Sequence, residues 1–194
     1  MALAKPRFTG GLALCVTTAA VALSVPPLRS FMEQSMAWHM VVQMPLLVLG
    51  GWLAGRAFAP YPLLRSLAGF NRFGLTGFMA AQVIVAYWML PLAIDRAVVL
   101  PLADVSKLLT LFISGMVLAD AFKRSPIVLQ LFFMGYWVSM MAWLGFYFAT
   151  TDLRLCNAYS LQSQSQTGWG LLGLGAVLGI AWVASVWRTG HSRQ

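Results

Sequence analysis

Residues 36–57 read MAWHMVVQMPLLVLGGWLAGRA, an apolar run whose one charged side chain, Arg56, lies at its far end. A helix crosses the hydrocarbon core of a bilayer with about 20 apolar residues. A backbone in that medium must satisfy its own hydrogen bonds, so the run reads as a membrane-spanning α-helix. It carries a second mark. Met32, Met36, Met40 and Met44 recur at a spacing of four, which lines them along one helix side, with His39 beside Met40. Thioether and imidazole are donors that suit a soft ion such as Cu(I). Methionine also fills irregular gaps between packed helices, and both readings stand at this point.

The rest of the chain shares this apolar character. Of its 194 residues, 60% are hydrophobic and 9% charged, whereas about a quarter are charged in soluble domains. Runs of spanning length fall at about 9–28, 36–57, 73–93, 105–122, 127–149 and 168–187. They predict an all-α integral membrane protein, a six-transmembrane-helix bundle forming a single domain over residues 1–194. Lys5 and Arg7 precede the first run as they would in a signal peptide. That run continues to Pro26-Pro27 with no clear small-residue cleavage site, so a retained helix is expected.

Charge sets the orientation. With the N-terminus inside, Lys5, Arg7, Arg56, Arg65, Arg72, Lys123, Arg124, Arg188 and Arg193 face the cytoplasm. Only Arg29, Arg96, Lys107 and Arg154 face out, in the company of Glu33, Asp95, Asp104 and Asp152. This positive-inside bias places both termini in the cytoplasm, and the expected location is a bacterial inner membrane. The net charge of +8 is thus a topology signal with an affinity for anionic lipid, and it gives no support to nucleic-acid binding.

Several chemistries lack their residues. There is no glycine-rich phosphate loop, no Ser/His/Asp set and no pair of catalytic carboxylates, so no independent enzymatic activity is expected. No inverted repeat or membrane-central charge pair supports a transporter. Cys15, in the first span, and Cys156, in the outer loop 150–167, sit at different depths, which argues against a disulfide between them. Pro45 and Pro91 should each bend a helix. Gly50, Gly51 and Gly55, and the glycines from Gly168 to Gly179, permit close helix approach. The Ser/Gln string ending the outer loop reads as a polar connector.

Three helices deliver their unusual residues to one outer region: Met32, Met36, His39 and Met40 from the second, Trp88, Met89 and Asp95 from the third, Asp104 and Lys107 from the fourth. Ionisable groups at membrane depth are costly and mark function by default. In one reading His39, Met36, Met40 and Met89 form a Cu(I) site towards which the outer acids draw the ion. In the other, Asp95, Asp104, Arg96 and Lys107 form ion pairs near the headgroups, and His39 bonds a nearby carbonyl.

The strings His39-Met40-Val41-Val42-Gln43-Met44-Pro45-Leu46-Leu47 and Trp88-Met89-Leu90-Pro91-Leu92-Ala93-Ile94-Asp95 resemble signature regions of the CtaG family of cytochrome c oxidase assembly factors. The resemblance covers about residues 32–122 and extends to Pro101 and Lys107-Leu108-Leu109. It implies a role in maturing a haem-copper oxidase, with copper presented on the outer face. Where the family tends to carry histidine, this chain has Gln43, Met89, Asp104 and Leu108, and Met89 would keep a soft ligand. The alternative expectation is a non-catalytic accessory subunit that packs against a membrane respiratory or oxygenase complex.

Overall fold

The computed structural model describes residues 6–57, 69 and 71–191, and every regular element among them is helical. The loop expected over 58–72, with Pro60, Pro62 and Arg65, lies largely outside the described residues, as do Lys5 and Arg193. Helix α1 spans Pro6–Ala22 and a short α2 spans Leu28–Met32. A π-helical segment, Trp38–Gln43, runs into α3, Met44–Ala57. Then come α4, Leu75–Trp88, α5, Pro91–Val99, and α6, Pro101–Arg124. Helix α7 covers Ile127–Thr150 and α8 covers Leu161–His191.

Four of these stretches are long and apolar enough to cross a membrane: Trp38–Ala57, α6, α7 and Leu161–Arg188. Helices α4 and α5 make a fifth span only if taken together, because the chain bends by 71° between them. The apolar part of α1, Gly10–Ala22, is shorter. The bend expected at Pro91 is therefore a break in the third span, 73–93. Pro91 has no N–H and crowds the residue before it, so Leu90 is extended (φ −71°, ψ 131°) and a new helix starts at the proline. Pro101 acts likewise through Leu100, which starts α6 at Pro101 rather than at 105. At the other end of the chain α8 already begins at Leu161, so the Ser/Gln string is helix and the connection before it shrinks to 151–160.

Pro45 is accommodated differently. A proline at this point removes one donor from the helical ladder. The turn before it is widened, so that Met44 N–H bonds the carbonyl of His39, five residues back. Single π-turns of this kind are rare and occur often at functional sites. Here the widened turn contains His39, Met40 and Gln43, all buried.

Glycine sets the closest crossing. A Cβ on Gly51 would strike the carbonyl of Phe112, and one on Gly115 the carbonyl of Val48, so α3 and α6 meet backbone to backbone. Helices α7 and α8 form a hairpin with a similar contact: a Cβ on Gly145 would lie 2.7 Å from the Gly168 carbonyl. Gly173 meets no neighbour, so it has no part in this packing. One core cluster gathers Met36, Met40, Met44, Met89, Ile94 and Tyr159 near the 151–160 loop. A second, around Phe78 and Phe133 stacked at 4.7 Å, fills the other end of the bundle.

Candidate functional site

At the loop end of the bundle a chain of side chains links four elements. Its centre is His39, fully buried on the π-helical segment. The Nε2 atom of His39 is 2.9 Å from Lys107 Nζ, and Nδ1 is 3.1 Å from the Tyr159 hydroxyl. Lys107, also fully buried, stands one turn beyond Asp104 on α6 and pairs with its Oδ1 at 2.7 Å. The other carboxylate oxygen of Asp104 is 3.3 Å from Arg29 of α2, and Arg29 in turn holds Glu33 at 2.7 Å. Two cations and two carboxylates thus balance in charge, and Asp104 in the first turn of α6 adds a favourable interaction with the helix dipole.

The hydrogen-bond inventory assigns the protons. Lysine ammonium can only donate, and it is paired with Asp104 at 2.7 Å. Lys107 therefore donates to both Asp104 and His39 Nε2. A neutral imidazole has one donor and one acceptor, so the ring proton sits on Nδ1 and is given to the Tyr159 oxygen. Both nitrogens of His39 are committed.

Tyr159 owes its position to the 151–160 loop, which is braced from several sides. Arg154 donates to the carbonyls of Tyr159 (2.9 Å), Asn157 (2.7 Å) and Cys156 (3.2 Å). Asp95 accepts the backbone N–H groups of Asn157 (2.9 Å) and Ala158 (3.2 Å). Gln164 accepts from Leu155 N and donates to the Leu153 carbonyl. Ser163, one residue before it on α8, takes the free N–H of Met36 at 2.8 Å and so ties α8 to the start of the His39 segment. Burial, with Asp95 nearby, pushes the Cys156 thiol up to about 12, and burial above all raises Tyr159, so both stay protonated at neutral pH. Cys15 and Cys156 are both free thiols.

The residues expected to hold copper are placed as follows. Met36, Met40 and Met89 are buried in the same core cluster, and His39 lies on the same segment as Met40. Among the described residues no group of three or more His, Cys, Asp or Glu side chains could hold a metal ion. A copper ion at His39 would first have to displace Lys107 or Tyr159, and with both in place these residues do not fit the ion. Asp95 serves the loop backbone and Asp104 serves the two cations. The ion pairs expected near the headgroups are in part real, but Lys107 is wholly inside, and His39 bonds side chains rather than a carbonyl.

Of the partners of His39, the sequence points to Lys107 and not to Tyr159. Lys107 carried a signal, being a lysine three residues after an aspartate at the start of an apolar helix, the spacing of an intrahelical pair. Tyr159 carried none, because it reaches His39 only through the folded loop.

Comparison of the chain with protein-family models, with curated proteins and with solved structures finds no match. The described residues define an all-helical protein with four helices long and apolar enough to cross a membrane and a charge-balanced network around a buried histidine.

Proposed function

We propose that this protein is a CtaG-like accessory factor that supports the assembly of a haem-copper oxidase as a membrane-embedded scaffold. In this reading α1 and the bent α4–α5 pair complete six crossings of a bacterial inner membrane, with both termini in the cytoplasm and the His39 centre in the outer half. The carrying observation is the convergence of the two signature-like strings. Met40 and Met44 of the first pack in one buried cluster with Met89, Ala93 and Ile94 of the second, and His39 and Asp95 both bond the 151–160 loop.

The α7–α8 hairpin supports a scaffold. The apolar windows of α7 and α8 are only 22% and 11% buried, so both helices present most of their surface to the bilayer or to a partner within it. Gly173 opens onto this surface, and a leucine there would fill space without disturbing the chain's own packing. The test is co-purification of the tagged protein with a haem-copper oxidase from its native membrane. Gly173→Leu should abolish it while leaving the thermal midpoint of the isolated protein unchanged. Failure of the wild-type protein to retain an oxidase, or an unaltered yield from the variant, would count against the scaffold. Copper presentation, the other outcome the resemblance implies, would show itself as near-stoichiometric copper in reduced wild-type protein that is lost in His39→Ala.

A further inference from the structure

The position of Lys107 carries a second conclusion, which does not depend on the identity of the partner. Its ammonium lies between an imidazole nitrogen at 2.9 Å and a carboxylate oxygen at 2.7 Å, with no exposure of any of its side chain. Imidazole Nε2 and aspartate oxygen are donors that a borderline ion such as Zn²⁺ takes at about 2.0–2.2 Å. In the wild-type protein the lysine ammonium occupies the position between them that such an ion would take. We infer that Lys107 is a built-in cation occupying a latent metal site formed by His39 and Asp104, and that it keeps the centre of the wild-type protein closed to divalent ions.

Three observations support this. First, the donors are oriented for a cation rather than for each other: Asp104 makes no hydrogen bond to His39, and both address the same nitrogen of Lys107. Second, His39 is held in the tautomer with an unprotonated Nε2 facing Lys107, because its Nδ1–H is directed to Tyr159. An outer partner that fixes the ring in this way is what a metal-bound histidine commonly has. Third, the site would survive loss of the lysine. Asp104 keeps Arg29 at 3.3 Å, so its charge stays compensated, and truncation of the lysine stem leaves room for an ion with water as its remaining ligands. Carrying the cation on α6 also locks that helix to the π-helical segment permanently, whereas a metal would do so only at its own occupancy.

The test compares wild type, Lys107→Ala and Lys107→Ala/His39→Gln, purified in detergent and freed of metal with a chelator. The thermal midpoint is then followed as Zn²⁺ is added. The expected result is a Zn²⁺-dependent rise for Lys107→Ala, no shift for the wild type, and loss of the rise in the double variant. A wild-type shift that vanishes in His39→Gln would overturn the inference, since the ammonium would then not exclude the ion. So would a folded Lys107→Ala that takes up no zinc. Should Lys107→Ala not fold, ¹⁵N spectra of the wild-type imidazole decide the matter. The inference requires His39, identified by loss of its signals in His39→Gln, to show a protonated Nδ1 and an Nε2 that accepts a hydrogen bond and is unmoved by zinc. A protonated Nε2, or an Nε2 signal that shifts with zinc, would refute it.

Discussion

Removal of Asp104 should be the most damaging single change at the centre, and it is one that a second mutation partly repairs. In Asp104→Ala the ammonium of Lys107 loses the carboxylate at 2.7 Å and stays fully buried, with the His39 imidazole as its remaining hydrogen-bond partner. Arg29 suffers little, because it is 24% exposed and keeps Glu33 at 2.7 Å. Stripping one partner from a buried pair costs about 3–5 kcal/mol, most of it the stranded charge. For a chain of 194 residues each kcal/mol lowers Tm by about 2–4 °C, so a fall of about 10 °C is expected. In Asp104→Ala/Lys107→Met the stranded charge is gone as well. What remains is an unmet acceptor at His39 Nε2, worth about 1–3 kcal/mol. The double variant should therefore melt above Asp104→Ala by several degrees. The assay is size-exclusion chromatography of detergent-solubilised protein after heating, with the surviving monodisperse fraction plotted against temperature. If the double variant melts below the single one, the two losses simply add, and the charge-stranding account is refuted.

Two further outcomes follow from the loop. Tyr159→Phe leaves the Nδ1–H of His39 without an acceptor and should cost about 1–3 kcal/mol. Arg154 bonds the backbone carbonyl at 159, which phenylalanine keeps, so protease resistance of residues 151–160 should be unchanged, and early cleavage there would contradict this. With its thiol pushed up to about 12, Cys156 should remain unalkylated by maleimide in native protein from pH 7 to pH 9, read in a Cys15→Ser background so that it is the one thiol. Intact mass should show no adduct before denaturation and one after; an adduct on native protein would mean that the loop opens freely.

Much of the architecture was legible because hydrophobic length is a one-dimensional property. The spans over 36–57, 127–149 and 168–187 each correspond to a helix, with ends moved by capping and by prolines. Pro91 marks a bend in the third span, but a count of apolar residues from 73 to 93 cannot register its size, a 71° break at an extended Leu90. The candidate site was legible in its members more than in its bonding. His39, Asp104 and Lys107 drew notice as ionisable residues in apolar surroundings. Their partnership depends on the depth at which α6 crosses α3, and that depth is set by Gly51 and Gly115 facing the carbonyls of Phe112 and Val48. Tyr159 was illegible for a different reason. Its approach to His39 is fixed by Arg154, in the 151–160 loop, and by Asp95, on α5, which act on the loop backbone rather than on each other.

The widened turn at Trp38–Gln43 makes the centre a matter of phase. An α-helix advances about 100° per residue, and a π-turn holds one residue more than the α-turn it replaces. Deleting a single residue from this segment would let it close into an ordinary helix, with α3 still anchored by its crossing of α6. Everything ahead of the deletion would then rotate by about 100°, carrying His39 off the line between Lys107 and Tyr159. The hydropathy of the span would hardly change, and the chain would still insert, but its polar centre would be dismantled. The extra residue acts as a clocking device, and among relatives of this chain the length of that segment would track the presence of the network more closely than the identity of any one methionine.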